Sequence, residues 1–164
     1  MPFPLPAIPE LSYKNAGRKF GAPRDGGKRK HAGCDLIAKL GTEIYAIEDG
    51  VVLQGSKDFY HGTNSLVVQH QSGIVVRYCE ILKKDEIKLE RGALVKAGEL
   101  IAHVGKMNVD SMLHFELYSG SQFGELTQRN NEPFQRRSDL VDPTALLDRL
   151  ALEWRGAHPG GAKS

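Results

Sequence analysis

A chain of 164 residues with 40% apolar residues has the material for one domain around a single core. A formal net charge of +2, with no dense Lys/Arg stripe interleaved with aromatics, argues against a nucleic-acid-binding surface. Two cysteines are too few for a disulfide framework, and no apolar run approaches the ~20 residues that would span a bilayer.

The N-terminal stretch Met1-Pro2-Phe3-Pro4-Leu5-Pro6 has neither a basic start nor an uninterrupted apolar run, so it does not read as a secretory signal peptide. Residues 1–17 are expected as an extended segment on the surface, ahead of a domain over 18–155. Arg24 to Lys30 is the densest basic patch, either a solvated loop or a site of attraction for an acidic polymer. Short strands are expected over Cys34–Ala38, Glu43–Ala46 and Gly50–Gln54, with a loop from Gly55 to Thr63 carrying Phe59, Tyr60 and His61. Ser65–His70 and Ile74–Ile81 form the clearest hairpin; in its second arm Ile74, Val76, Tyr78 and Glu80 share one face by strict alternation. Two further short strands, Ala93–Lys96 and Leu100–Val104, precede a loop over 106–111.

Met112 to Tyr118 organises the rest. As a strand it buries Leu113, Phe115 and Leu117 on one face and presents Met112, His114, Glu116 and Tyr118 on the other. Residues 119–139 show no core-forming pattern and read as a long loop. Residues 143–154 read as the one helix, with Asp142 as N-cap, Pro143 in the first position, and an apolar stripe of Leu146, Leu147, Leu150 and Trp154. The tail over 156–164 is expected to be disordered. Many short strands, Gly-rich turns and one terminal helix predict a mainly antiparallel β fold.

His114 beside Glu116 on a strand with a buried back could fix a metal ligand; taken alone, the stretch is better accounted for by a satisfied histidine in a half-buried strand. His31 and Asp35 would lie ~13 Å apart on a straight strand. Sharing one zinc, with bonds of about 2.0–2.2 Å, requires a bend, which Gly33 permits. His31, Asp35 and His114 together make a donor set common at catalytic zinc with an open position for water.

These blocks, in order, are His31-x-Gly33-x-Asp35; Gly41-Thr42-x-Ile44-Tyr45-Ala46 and Gly50-Val51-Val52; Val67-Val68-x-His70-x-x-Gly73; Gly92-x-x-Val95-x-x-Gly98-x-x-Ile101-x-x-Val104-Gly105; and Leu113-His114-Phe115-Glu116. Their order and spacing resemble the LytM/lysostaphin-type metallopeptidases, peptidase family M23, over roughly residues 18–120. The resemblance implies an antiparallel β-sheet domain of the duplicated hybrid motif type with a groove. It also implies one zinc held by His31, Asp35 and His114, and a peptidoglycan peptide cross-link as substrate.

Two positions depart from the family. Its usual His-x-His-Phe-Glu strand has Met112 at the first histidine, and a glutamate, Glu80, stands where a histidine usually follows Tyr78 by two residues. A thioether cannot exchange protons, whereas Glu80 can act as the general base; a salt bridge, for example to Arg77, is the plainer role for it. His61, Tyr60 and Tyr118 are candidate substrate contacts, His70 and His103 read as structural and surface residues, and Glu116 as a carboxylate behind the ligands. Cys34 and Cys79 could meet as a disulfide or remain free.

The function implied is a zinc-dependent peptidoglycan endopeptidase. A catalytically silent module that binds wall peptide or regulates a partner hydrolase is the alternative. A chain without a signal peptide that acts in the periplasm or cell wall would need a dedicated route, as an injected antibacterial effector or a phage lytic enzyme. An immunity protein or secretion-system carrier would then be a partner. A monomer is expected.

Overall fold

The computed structural model describes residues 1–161. Among these residues, twelve strands, two single-turn 3-10 helices (Ala16–Arg18 and Asp25–Gly27) and one α-helix follow in chain order. A small ribbon, β1 (Pro23–Arg24) with β2 (Arg29–Lys30), precedes β3 (Cys34–Ile37) and β4 (Glu43–Tyr45). The long strands β5 (Gly50–Asp58), β6 (Asn64–His70) and β7 (Val75–Ile81) form the centre. They are followed by β8 (Leu94–Val95), β9 (Leu100–His103), β10 (Lys106–Met107), β11 (Asp110–Tyr118) and β12 (Leu140–Val141). The helix α1 (Thr144–Ala157) closes the order.

The main sheet runs β10-β11-β7-β6-β5-β8, every pairing antiparallel, with β3 and β12 also on β11. Strand β11 is the hinge of this arrangement. Met112 to Phe115 pair with β3 and His114 to Tyr118 with β7, so His114 and Phe115 are flanked by a strand on each side. Leu113, Phe115 and Leu117 turn into the core as expected, joined there by Val76 and Tyr78 of β7 and by Leu147, Leu150 and Ala151 of α1. The helix starts one residue later than expected, with Pro143 in the N-cap position; Asp142, just before it, accepts from the Thr144 amide through Oδ1 at 2.9 Å.

Several boundaries differ from the sequence expectation. Strand β5 runs on to Asp58, into the stretch expected as a loop, and residues 106–111 form the β10–β11 hairpin. The helix extends to Ala157, and the His158 ring stacks on Trp154 at 4.4 Å, so the start of the expected tail is ordered; residues 162–164 lie outside the described residues.

The N-terminal segment is the larger correction. Phe3, Leu5, Ile8 and Tyr13 are buried in the main core, the Pro4 carbonyl accepts from the Tyr45 amide, and Tyr13 Oη donates to Asp148 on α1 at 2.7 Å. Prolines at 2, 4 and 6 hold this stretch extended without a ladder, and the residues between them supply the apolar side. The segment straps α1 to the sheet. Phe3→Ala is expected to cost about 3–5 kcal/mol in denaturant unfolding; a change under about 1 kcal/mol would contradict the strap.

His70 is buried between the Glu48 carbonyl, to which its Nδ1–H donates at 2.9 Å, and the Tyr78 hydroxyl at 3.0 Å from Nε2. Burial holds its pKa below the ordinary histidine value. A depressed folded-state value means that the unfolded chain takes up the proton first, so stability falls as pH drops below about 6.5. In metal-free protein, acidification from about pH 7 to 5.5 is expected to destabilise the wild type more than His70→Gln. Equal losses in urea titrations would show that His70 is not the neutral buried group described.

Candidate active site

His114 and Asp35 sit directly opposite one another on β11 and β3. His31 precedes β3 and is fixed by two backbone bonds, Gly21 N to its carbonyl and its own N to Ala22 O, each 2.8 Å. Gly33 takes part through space rather than through a special backbone angle: a Cβ there would fall on the Phe115 carbonyl, so only glycine lets β3 lie this close to β11.

Three ligand atoms converge. His31 Nε2 lies 3.1 Å from Asp35 Oδ1 and 3.1 Å from His114 Nδ1, and His114 Nδ1 lies 2.8 Å from Asp35 Oδ1. The outer ring nitrogens are already committed. His31 Nδ1–H donates to the Lys19 carbonyl at 2.8 Å and His114 Nε2–H to Glu116 Oε1 at 3.0 Å. A metal ion binds histidine only in its neutral form, so a cation among these atoms would displace the inner protons and meet one nitrogen lone pair from each ring and the Asp35 carboxylate. The spacing is close to the ~3.3 Å between ligand atoms of a tetrahedral zinc with bonds of 2.0–2.1 Å. These residues fit zinc.

Behind them stands Glu116, fully buried. Arg136 Nε donates to its Oε1 at 2.9 Å, Tyr118 Oη to its Oε2 at 2.7 Å, and an Arg77 terminal nitrogen lies 3.6 Å from Oε2. Burial opposes its ionisation, but Arg136, His114 and Arg77 prevail and hold it well below the usual carboxylate range. Burial would lower the His114 pKa; the Asp35 and Glu116 carboxylates on its two nitrogens outweigh this and raise it to about 10. Asp35 is likewise held low, since bonds from His114 and His31 overcome its burial.

Glu80 enters the same cleft by a break in alternation. Asn64 pairs with Ile81 and Ser65 with Cys79, leaving Glu80 as the extra residue of a bulge, at φ +63°. The Gly105 amide donates to its carbonyl at 2.8 Å, and Gly105 has no Cβ to block that approach. Strict alternation would send Glu80 to the core face with Tyr78. The bulge turns it instead into the cleft with His31, Asp35 and His114. It is 5% exposed, and Oε2 has no hydrogen-bond partner among the described residues. Arg77 is not its salt-bridge partner; that guanidinium serves Thr127 and Glu116 and covers the Phe59 ring at 4.8 Å. Burial pushes the Glu80 carboxyl up to about 7, against the pull of His114.

The same bulge decides the cysteines. Cys34 lies in the main core, whereas Cys79 Sγ lies on the His114–Glu116 side, and both are free thiols. The disulfide considered from sequence required Glu80 and Cys79 to alternate, and they do not.

The cleft measures about 360 Å³. Tyr60 and His61 stand at its exposed rim, and Met112 lines it. Tyr118, expected as a substrate contact, is 0% exposed and is occupied with Glu116 and a small second core of Val67, Val75 and Leu126. Sequence reasoning missed Arg136, delivered from the loop over 119–139, and Phe59, whose ring centroid lies 6.1 Å from that of His114. It also missed Arg24, whose guanidinium lies 3.7 Å from Asp35 Oδ2. Only long-range folding brings these side chains together.

A family model described as Peptidase family M23 matches residues 29–127. The peptidoglycan DD-endopeptidase ShyB of Vibrio cholerae is 36% identical over 89 residues, 53% of this chain and 20% of that protein. The glycyl-glycine endopeptidase ALE-1 of Staphylococcus capitis is 29% identical over 106 residues, 63% of this chain and 28% of that protein. The chain thus spans between a fifth and just over a quarter of the length of these relatives. Among solved structures, the catalytic domain of lysostaphin from Staphylococcus simulans superposes with a TM-score of 0.59 at 25% identity, over 79% of this chain and 89% of that one. A zinc containing peptidase from Vibrio cholerae gives a TM-score of 0.51 at 30% identity, over 60% of this chain and 31% of that one. With the match covering more than half of its residues and the sheet arranged as in the lysostaphin catalytic domain, the chain belongs to peptidase family M23.

Proposed function

We propose that this domain is a zinc-dependent peptidoglycan endopeptidase that hydrolyses peptide cross-links of the bacterial cell wall, with Glu80 handling the proton. The carrying observation is the convergence in one cleft of three inward-facing donor atoms and one buried carboxylate oxygen without a hydrogen-bond partner among the described residues. His31, Asp35 and His114 hold the ion. Zinc, when bound, lowers the pKa of a water and polarises the scissile carbonyl. Glu80 Oε2 takes the proton from the attacking water and returns it to the leaving amine nitrogen. Glu116 keeps His114 in the tautomer whose Nδ1 faces the ion, and the Lys19 carbonyl does the same for His31 Nε2. Tyr60 and His61, at the rim, hold the substrate backbone.

Met112 favours a second reading, a metal-holding module without turnover, because the thioether offers no proton at that position. Zinc content and turnover of an isolated cross-linked peptide dimer, measured on wild type and His114→Ala, separate the two. One zinc per wild-type chain with hydrolysis, both lost in the variant, supports the enzyme. Bound zinc without hydrolysis supports the silent module.

A further inference from the structure

A second cavity lies on the same face of the sheet as the metal cleft. It measures about 440 Å³ and is lined by Phe123, Gln54, Gln69, Gln122 and Arg91 beside the buried apolar cluster of Val67 and Leu126. Val75 also borders it, and Val75 is the direct partner of Tyr118, four residues along β11 from His114. Four strand residues span ~13 Å.

Phe123 is 92% exposed, and a single exposed aromatic would mean little by itself. Its loop, however, is built. The Gly120 and Gln122 amides donate to Asp139 Oδ2 at 3.1 and 3.4 Å. Arg137, buried with Asp139, donates to both oxygens of that carboxylate at 2.7 and 3.1 Å and to the Gly124 carbonyl at 3.0 Å. A buried ion pair thus fixes the backbone of a loop whose aromatic tip does nothing for the fold. A flat ring at the edge of a cavity with three primary amides and a guanidinium suits a ligand with an apolar ring face and a rim of hydroxyl and acetamido groups. The ring packs on the C–H face, and the amides each offer a donor and an acceptor to the rim.

We infer that the Phe123 cavity is a saccharide subsite that binds an N-acetylated hexose unit of the glycan to which the cleaved peptide is attached. The second half of that statement rests on the peptidoglycan reading above. An extended segment of about four residues covers ~13 Å, so a substrate can occupy the metal cleft with its peptide and this cavity with its sugar.

Two measurements test this on the zinc-loaded full chain. In the first, a β-1,4-linked N-acetylglucosamine tetramer, which contains no peptide, is titrated into wild type and Phe123→Ala by NMR. Shifts of the Gln54, Gln69 and Gln122 side-chain amides, with affinity reduced about tenfold in the variant, are expected; no shifts at these amides in the wild type would overturn the subsite. In the second, turnover is compared on a cross-linked dimer with its sugars and on the same dimer with the sugars removed. Phe123→Ala should raise KM on the first alone, with kcat unchanged. An equal rise on both would show that the cavity holds peptide and would overturn the inference. If neither dimer is cut, the endopeptidase reading has failed, and the tetramer titration still decides the cavity.

Discussion

Glu80→Gln is expected to keep one zinc per chain and to lose about 10²–10⁴-fold in kcat, with little change in KM. The substitution preserves volume and one acceptor oxygen but removes the ability to take up and return a proton. Because Oε2 makes no hydrogen bond among the described residues, the exchange breaks no pairing there. The bulge that turns this side chain into the cleft is a backbone feature, held by Gly105, and is retained in the variant. A loss confined to KM would make Glu80 a binding group. Unchanged turnover would remove it from the chemistry altogether and leave its buried position without a catalytic account.

The second large effect is expected at Glu116. Glu116→Ala leaves the Arg136 guanidinium buried without its carboxylate and strips His114 Nε2 of its acceptor. Breaking such a buried pair costs about 3–5 kcal/mol of stability, and removing the partner that orients a ligand costs about 10–100-fold in metal affinity. The two consequences can be separated. Replacing both partners, Glu116→Met with Arg136→Met, removes the Arg136 charge and should restore part of the stability, since apolar groups of similar volume can substitute for a buried ion pair; Arg77, 3.6 Å from Glu116 Oε2, keeps only its Thr127 bond and holds the rest of the loss. Zinc affinity should stay low in the double variant, because His114 still lacks its acceptor. Wild-type zinc affinity in Glu116→Ala would show that the strand alone fixes the ring.

The convergence of His31, Asp35 and His114 was legible in the sequence because its geometry is local to two paired strands. His114 is placed by alternation on β11, Asp35 by its register opposite, and His31 by a short connection to the same strand. The family blocks carried the sheet for the same reason. What alternation could not carry was the bulge at Glu80. The residue was expected to face the zinc; the backbone that turns it into the cleft with His31, Asp35 and His114 is a local exception to the period of two, and missing it left the side of Cys79 misjudged. The N-terminal strap was hidden because proline-rich composition reads as surface extension, while Phe3 and Leu5 between the prolines were apolar enough to be buried. Arg136 and Arg137 were hidden by distance. Nothing within residues 119–139 signals that two arginines meet carboxylates in the interior, since Glu116 lies twenty residues away and the Arg137–Asp139 pair has meaning only once Asp139 holds the Phe123 loop.

The central claim is that a zinc centre of His31, Asp35 and His114, served by Glu80 rather than by histidine, cuts wall cross-links. Digestion of purified peptidoglycan sacculi with zinc-loaded protein, its products resolved by liquid chromatography and mass spectrometry, tests it most directly. The account predicts that cross-linked dimers fall and monomers rise with wild type, and that both stay constant with zinc-loaded Glu80→Gln. A full complement of zinc in the wild type with an unchanged dimer fraction would contradict it.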